Sequence, residues 1–385
     1  MMVWNRKYLF FIISLSWIAG CSGPAEPDFP RILLFFNEDE INYESKEYIE
    51  AQIRWHGHSH LDLAKAKLRG GWSRIYPKNS FTVNLQADPS IPIFSRDNDW
   101  ILSASYVDKT MIRHTLSYEL FKKMTGLETS APNTEYVEVF INHNYHGLYL
   151  LHPRVDRSYL DLQKSGALFK DPPVFFKGEL PPPEEAGNPW HRKYPKEEED
   201  ITLILDTVRQ RLMYADLCDF DTVSTYFDVD HIIDWHLLLL VTHGSDGLMK
   251  NFYLYRRTKE DPFRFCLWDY DHSFGRDGDY ELNRDTTVLD ISRNWLLEGM
   301  SQCPEYQEKL TDKYEVLRSS VLSTKAIIDL ADSLYYNNRD AIYRNGERWP
   351  WDSEHYSDDN TADEEIELLR DFIRRKMVQL DELMI

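Results

Sequence analysis

The sequence is poor in positive charge. Its 385 residues include 44 lysines and arginines against 64 aspartates and glutamates, which leaves a net charge of −20. Nucleic-acid-binding proteins rely on lysine and arginine side chains that contact the phosphates, so this balance argues against a nucleic-acid partner. It suits metal ions or cationic partners instead.

Cysteine is also scarce, and its spacing excludes a common kind of metal site. The four cysteines are Cys21, Cys218, Cys266 and Cys303, and none of them forms a C-x-x-C pair of the type that binds zinc. If Cys21 is modified, the remaining three allow at most one disulfide. Buried free thiols are the state that we expect for these three side chains.

Long apolar runs are absent except at the N-terminus. Arg6 and Lys7 precede the apolar run YLFFIISLSWIAG, and the polar stretch CSGPAEPDFP follows it. The run is short for a transmembrane helix and is typical of a secretory signal peptide. We therefore expect a signal peptide over residues 1–20, a tether over 21–30 and a folded domain over 31–385.

The end of this run contains a motif that predicts lipidation. Ile18-Ala19-Gly20-Cys21 resembles a bacterial lipobox, in which cleavage precedes the cysteine and lipid is attached to its thiol. Such a protein is anchored to a membrane without spanning it. This predicts an extracytoplasmic lipoprotein of the cell envelope. The alternative is a plain secretory signal in which Cys21 is incidental.

The order of the hydrophobic patterns predicts the fold class. Apolar residues make up 42% of the chain and aromatic residues 14%, which is ample for a large core. Strand patterns dominate about residues 31–180, and helical periodicity dominates about residues 200–385. We predict an α+β, two-lobed fold with a cleft between the lobes. The proline- and acid-rich stretch 171–200 is expected to form an exposed loop or lid.

The common motifs G-x-S-x-G, H-E-x-x-H and the P-loop are absent, but acidic and amide residues follow two apolar elements. Asp246 and Asn251 form a D-x-x-x-x-N pattern after an apolar helix, and Asp269 ends the predicted strand RFCLWD. In phosphoryl transfer, an aspartate at this spacing orients the acceptor hydroxyl and the asparagine binds a metal ion. The alternative is a solvated turn at a helix end.

Asp271 has two possible roles. If the strand continues through Tyr270, Asp269 and Asp271 share a face, and both can reach a metal ion. If the strand ends at Asp269, we expect Asp271 to cap a turn.

A nucleotide also requires cations near its phosphates. Lys170 ends the predicted strand GALFK after a hairpin, which is the order in which protein kinases place their phosphate-binding lysine. Lys78 in YPKNSF is the other candidate. For each lysine the alternative is an ordinary surface charge. Gly147 in NYHGLY either lets a hairpin approach the phosphates or belongs to a plain turn.

Five segments in order resemble the spore coat protein H (CotH) kinase family, a divergent branch of the protein kinase-like fold. The resemblance covers roughly residues 30–385. The segments are LRGGWSRIYPKNSFTVNL, WILSASYVDKTMIRHTLSYELFKKMTG, VEVFINHNYHGLYLLHPRVDRSYL, SDGLMKNFYLYR and FCLWDYDHSFG.

The resemblance implies an atypical kinase-like enzyme that transfers phosphate from ATP to serine or threonine hydroxyls of a protein. Mg²⁺ or Mn²⁺ is the implied metal. The implied roles are a catalytic base, metal ligands and ATP-binding lysines, which fall on Asp246, on Asn251, Asp269 and Asp271, and on Lys78 or Lys170 respectively.

One departure from the family pattern leaves a second hypothesis open. The family usually has paired asparagines before the aromatic strand, whereas here Lys250 precedes Asn251. In addition, little ATP is found outside the cytoplasm. The second hypothesis is therefore a non-catalytic, surface-anchored binding or adhesion protein on a kinase-like scaffold.

Overall fold

The structure is a computed structural model, and Cys21 lies outside the residues that it describes. In the described part of the chain, no helix is both long and apolar enough to cross a membrane. The described residues are 29–36, 47–86, 98–180, 188, 190–196, 199–276, 288–351 and 358–384.

The first seven strands close into a barrel. Alternating residues such as Ile32 and Leu34 point into it and are fully buried, as expected for strands with one face on a core. Closure occurs because the sixth strand pairs in parallel with the first, with Leu33 opposite Phe140. The strands are β1 (Arg31–Phe36), β2 (Ile49–Trp55), β3 (Asp62–Arg69), β4 (Ser80–Leu85), β5 (Asp99–Ser103), β6 (Glu135–Ile141) and β7 (Asn144–Pro153).

The hairpin β6–β7 packs against the helical half of the molecule. Its two-residue turn, Asn142 and His143, has φ values of 47° and 68°, which suits a tight hairpin. Gly147 in β7 has φ 125°, and a Cβ there would lie 2.6 Å from Asn345 Oδ1. Close approach to a helix therefore explains this glycine, in place of the approach to phosphates considered from the sequence.

A second sheet joins residues from both halves of the chain. Its strand order is β11-β10-β8-β9, and Tyr253 lies opposite Lys170. Phe252 lies opposite Leu267 on the other side of the same strand. The sheet therefore brings together the three segments GALFK, SDGLMKNFYLYR and FCLWDYDHSFG, which contain Lys170, Asn251 and Asp269. The strands are β8 (Ala167–Lys170), β9 (Arg192–Tyr194), β10 (Phe252–Arg256) and β11 (Arg264–Leu267).

Helices form most of the remaining chain. The central helix α4 is almost entirely buried and packs against α1, α6 and α8. The helices are α1 (Arg113–Thr125), α2 (Glu199–Leu212), α3 (Phe220–Ser224), α4 (Val229–Thr242), α5 (Trp295–Met300), α6 (Pro304–Arg318), α7 (Thr324–Arg348) and α8 (Ala362–Met384).

The α+β class, with strands first and helices after, is confirmed. The barrel was not predicted, because the polar strand β3 and the short strand β5 were not identified. The expectation of an exposed loop is wrong for Pro173–Phe175, which is buried against the helical core. The triplet Pro181-Pro182-Pro183 lies outside the described residues.

The expectation of three free thiols is wrong for two of them. Cys218 and Cys303 form a disulfide that ties the segment after α2 to the start of α6. Their Cα atoms lie 5.3 Å apart, a normal separation for a disulfide. Cys266 is free and buried in β11, as expected.

Candidate active site

Asp246 follows the central helix and faces a cleft. Helix α4 ends at Thr242 and is capped by His243, which has a left-handed φ of 52°, and Asp246 begins a short 3-10 turn. The Asp246 carboxylate is 36% exposed, and its Oδ2 lies 2.9 Å from Lys250 Nζ. The predicted base is thus accessible and paired with the lysine that departs from the family pattern.

Asn251 joins the two predicted acidic segments. It has a left-handed φ of 63°. Its Nδ2 donates to the main-chain oxygen of Asp269 at 2.7 Å, and its own main-chain oxygen accepts from the Trp268 N–H. These contacts hold the D-x-x-x-x-N turn against the end of β11.

Asp269 and Asp271 meet a histidine from the first helix. His114 Nε2 lies 3.5 Å from Asp269 Oδ1. One potential ligand atom from each of His114, Asp269 and Asp271 lies within 4.8 Å of the others, and we call these three residues the metal cluster. Strand β11 ends at Leu267, before both aspartates, and a left-handed φ of 57° at Asp269 turns the chain. Asp271 thus reaches the cluster without the strand continuing through Tyr270.

The charges of the metal cluster shift one another's pKa values. Removal from water raises the pKa of Asp269, but the contact with His114 and the charge of Lys170 lower it by more, so its net pKa lies below the ordinary value. Burial and the neighbouring Asp269 carboxylate raise the pKa of Asp271. Burial lowers the pKa of His114, but the nearby aspartates raise it by more. The Asp269 carboxylate therefore disfavours the ionised form of Asp271.

Lys170 lies in the same cleft as Asp246. The cleft has a volume of about 400 Å³. Lys170 Nζ lies 3.6 Å from Asp171 Oδ2 and 4.8 Å from the centre of the Trp268 ring. Four cationic and two acidic side chains line the cleft, which makes it locally basic in an acidic protein. They are Lys170, Lys193, Lys250, Arg293, Asp171 and Asp246.

Arg69, at the end of β3, is a site residue that the sequence analysis did not identify. Its guanidinium lies 4.4 Å from the centre of the Trp268 ring. Its Nη1 is buried without a hydrogen-bond partner among the residues that the structure describes. A buried donor without a partner is unfavourable, and the Asp269 charge acts on this guanidinium.

Lys78 is placed differently. Its ammonium group is buried and donates to the main-chain oxygens of Ala104 and Leu148, the first at 2.8 Å. It also lies 4.4 Å from the centre of the Tyr149 ring. Burial holds the pKa of Lys78 well below its ordinary value. The structure thus brings Lys170, and not Lys78, to the lining of the cleft.

The other residues that were missed carry only weak signals in the sequence. His114 directly follows Arg113 of the helix that resembles the family pattern, and Arg69 lies within another such segment. Asp171 directly follows Lys170, and its Oδ1 accepts from the Phe252 N–H. The sequence spacing of these residues does not identify them as site residues; only the folded structure does.

The profile of the CotH kinase protein family matches residues 66–380, which include every described site residue. The chain belongs to this family. It is also similar to the inner spore coat protein H of Bacillus subtilis (strain 168), with 28% identity over 232 residues. That match covers 56% of this chain and 59% of the relative, so less than two thirds of the relative is spanned. The resemblance identified from the sequence is confirmed.

Proposed function

We propose that this CotH kinase family protein is a metal-dependent phosphotransferase that uses ATP to phosphorylate serine or threonine hydroxyls of a protein. The metal cluster beside a basic cleft that also contains Asp246 carries the proposal. Kinase chemistry requires this set of parts, since catalysis rests on positioning and on compensating the charge of the phosphates.

The metal cluster and the cleft are joined through several contacts. Asn251 bonds to Asp269, and the neighbouring Lys250 lines the cleft. Lys170 lines the cleft as well, and its charge acts on Asp269. We infer that the triphosphate occupies the space between Lys170 and the metal cluster, with Arg69 Nη1 as a further donor.

Each residue would then have a defined task. Asp246 would accept the proton of the acceptor hydroxyl while that oxygen bonds to the γ-phosphorus and the bond to the β-γ bridging oxygen breaks, leaving ADP and a phosphoprotein. Asp269 and Asp271 would hold the metal ion, with Asn251 as a further ligand, and Lys170 would bind phosphate. Bound Mg²⁺ or Mn²⁺ supplies charge neutralisation at the phosphate oxygens.

Thermal unfolding with nucleotide and metal tests this proposal. ATP together with Mg²⁺ or Mn²⁺ is expected to raise the melting temperature more than either alone, because the phosphates complete the metal's coordination shell. A ligand at about 100 times its dissociation constant stabilises by about 2.7 kcal/mol. Transfer of labelled phosphate to the protein itself or to a generic protein acceptor is the second readout. Absence of both effects would contradict the proposal.

One contact favours a second candidate function, a non-catalytic surface-anchored adhesion protein. The Lys250–Asp246 ion pair places a positive charge on the proposed base, as would suit a scaffold that no longer needs a free carboxylate there. No melting shift with any nucleotide, together with saturable binding to glycans or proteins, would favour this candidate.

We also propose that the protein is a lipid-anchored extracytoplasmic lipoprotein of the cell envelope. Disulfides persist in oxidising compartments, and the Cys218–Cys303 bond supports such a location. The name of the relative, inner spore coat protein H, is compatible with an envelope or coat association. Cys21→Ser is expected to release the protein from the membrane fraction or to leave the precursor uncleaved. Unchanged fractionation and full processing would contradict the anchor.

A further inference from the structure

The metal cluster contains a nitrogen ligand, which the sequence pattern of aspartates and asparagine did not include. His114 is the second residue of α1, and only 3% of its surface is exposed. Its Nε2 is directed at Asp269 Oδ1, and all three potential ligand atoms of the cluster lie within 4.8 Å of one another. A single metal ion could contact all three after small side-chain movements.

A second contact orients the imidazole ring. His114 Nδ1 lies 3.4 Å from Ser105 Oγ, on the side of the ring away from Asp269. When the Ser105 hydroxyl accepts a hydrogen bond from Nδ1–H, the Nε2 lone pair points toward the two carboxylates. Histidine ligands of metal ions are commonly oriented through their other ring nitrogen in this way.

An imidazole ligand changes which metal ion a site prefers. Mg²⁺ favours oxygen ligands and retains several waters, whereas first-row transition metals accept imidazole nitrogen readily. Mn²⁺ shares with Mg²⁺ an affinity for carboxylate and phosphate oxygens. The Asp269 side chain is 54% exposed, so the cluster is open on one side to further oxygen ligands.

We propose that His114, Asp269 and Asp271 bind one metal ion directly, and that the nitrogen ligand makes the site select Mn²⁺ over Mg²⁺. The proposal rests on the proposed function for the role of the ion but not for its binding. The competing explanation is that His114 is only a counter-ion that positions Asp269. A counter-ion would influence Mn²⁺ and Mg²⁺ alike, whereas a ligand influences mainly Mn²⁺.

The test uses the purified full chain, stripped of metal and titrated with MnCl₂ or MgCl₂ without nucleotide. We expect Mn²⁺ to bind at least about tenfold more tightly than Mg²⁺. Electron spin echo spectra of the bound Mn²⁺ should show coupling to a ¹⁴N nucleus. Because this spectrum needs only the wild-type protein, it can overturn the proposal even if a variant fails to fold. His272 Nε2 lies 4.0 Å from Asp271 Oδ1, so assigning a coupling to His114 also needs the variant below. Absence of nitrogen coupling overturns the proposal.

His114→Asn is the matching variant, because it replaces the imidazole with a shorter oxygen donor. Its Mn²⁺ affinity should fall by about 10–100-fold, its Mg²⁺ affinity should change much less, and the nitrogen coupling should vanish. The control is His143→Asn, at the exposed tip of the β6–β7 hairpin, where a left-handed backbone suits asparagine. An unchanged Mn²⁺-to-Mg²⁺ ratio in His114→Asn also overturns the proposal.

The result can be separated from that of the phosphotransferase proposal. Nitrogen-coordinated Mn²⁺ without ATP binding or phosphate transfer would support the metal assignment and contradict the kinase. ATP-dependent transfer with a Mn²⁺ spectrum that lacks nitrogen coupling would support the kinase and contradict His114 as a ligand.

Discussion

Two groups of charged side chains flank the first turn of α1, and they differ in how their charges are matched. The first is a buried ion network in which each positive charge meets a negative one, and the second is the metal cluster. The ion network links the start of α1, the start of α8 and the segment after β11. Its members are Asp108, Lys109, Arg113, Arg276, Asp358 and Glu365.

The ion network is balanced, with three cations and three carboxylates. Arg113 pairs with Asp108 and lies 3.4 Å from Glu365, while Arg276 bridges Glu365 and Asp358. Buried ions are tolerated only when they are paired and hydrogen-bonded in this way. The network therefore accounts for its own charges and needs no ligand.

The metal cluster is not balanced. Within the cluster two carboxylates face the His114 imidazole, while His272 Nε2 lies 4.0 Å from Asp271 Oδ1 outside it. The Asp269 carboxylate disfavours the ionised form of Asp271. A cation from outside would complete the charge balance. Completeness of pairing, more than burial, therefore separates structural charges from charges that are available to a ligand.

The largest effects are expected for Asp269 in the metal cluster and for Asp246 in the cleft, because the two residues are proposed to have different tasks. Asp269→Asn removes a proposed ligand, so both metal–nucleotide binding and phosphate transfer should fail. Asp246→Asn removes the proposed base, so binding should survive while the transfer rate falls by about 10²–10⁴. Calorimetry with ATP and Mn²⁺, beside labelled phosphate transfer, measures both quantities. Transfer that persists in the double variant would refute the mechanism.

Breaking the ion network should affect stability instead of binding. Glu365→Gln leaves Arg113 and Arg276 without their shared partner, so the free energy of unfolding should fall by about 3–5 kcal/mol. Urea denaturation measures this change, and Mn²⁺ affinity below the transition should stay close to wild type.

Glu367→Gln on the same helix is the control for this change. Glu367 is 64% exposed, and its partner Arg370 keeps a second carboxylate, Asp332, when Glu367 is changed. Loss of such an exposed charge is expected to cost about 0–1 kcal/mol. Equal losses of unfolding free energy in Glu365→Gln and Glu367→Gln would contradict the prediction that the buried network stabilises the fold more than an exposed carboxylate does.

Removing a charge from the metal cluster should have the opposite effect. The pKa of Asp271 is raised in the folded state, so its ionised form destabilises the fold. Stability is therefore lost as pH rises from the unfolded pKa through the folded pKa. Asp271→Asn should remove this loss and stabilise the metal-free protein near neutral pH by about 0.5–2 kcal/mol. Urea denaturation in EDTA at acidic and neutral pH would test it, and a destabilised variant at neutral pH would contradict the comparison.

The smallest effect is expected for Lys250, which is paired, like the residues of the ion network, but is exposed at the cleft beside the metal cluster. Its side chain is 57% exposed and pairs with Asp246 at the cleft. Lys250→Met should weaken ATP binding by about 3–10-fold, as for one partly exposed charged contact. Lys259→Met, at a 70% exposed surface site, is the control. Faster transfer in Lys250→Met would instead show that Lys250 restrains the base.

Local sequence patterns were sufficient to predict much of the fold. Strand-like apolar runs marked β1 and β2, alternation marked β4, and helical periodicity marked α1 and α8. The less apolar strand β3 was missed, since its apolar residues alternate with lysines and it buries only Ala64, Ala66 and Leu68. Barrel closure could not be predicted either, because the parallel pairing of β1 with β6 joins residues about a hundred positions apart.

The sequence by itself determined the chemical types at the site. The D-x-x-x-x-N pattern and the acidic end of β11 identified Asp246, Asn251, Asp269 and Asp271 as candidates, because carboxylates and amides beside apolar elements are unusual without a task. The position of Lys170 at the end of a strand that follows a hairpin made it a candidate beside Lys78. These assignments depend on residue type and short spacing, which the chain order preserves.

Only the tertiary structure decided which side chains meet. In the fold, Lys78 donates to backbone carbonyls, and Arg69 lies at the Trp268 ring. His114 lies against Asp269, which is 155 positions away in the sequence. The left-handed turn at Asp269 added Asp271 to the cluster after the strand had ended. Contacts between distant elements depend on how helix α1 packs beside β11, and no local spacing encodes that packing.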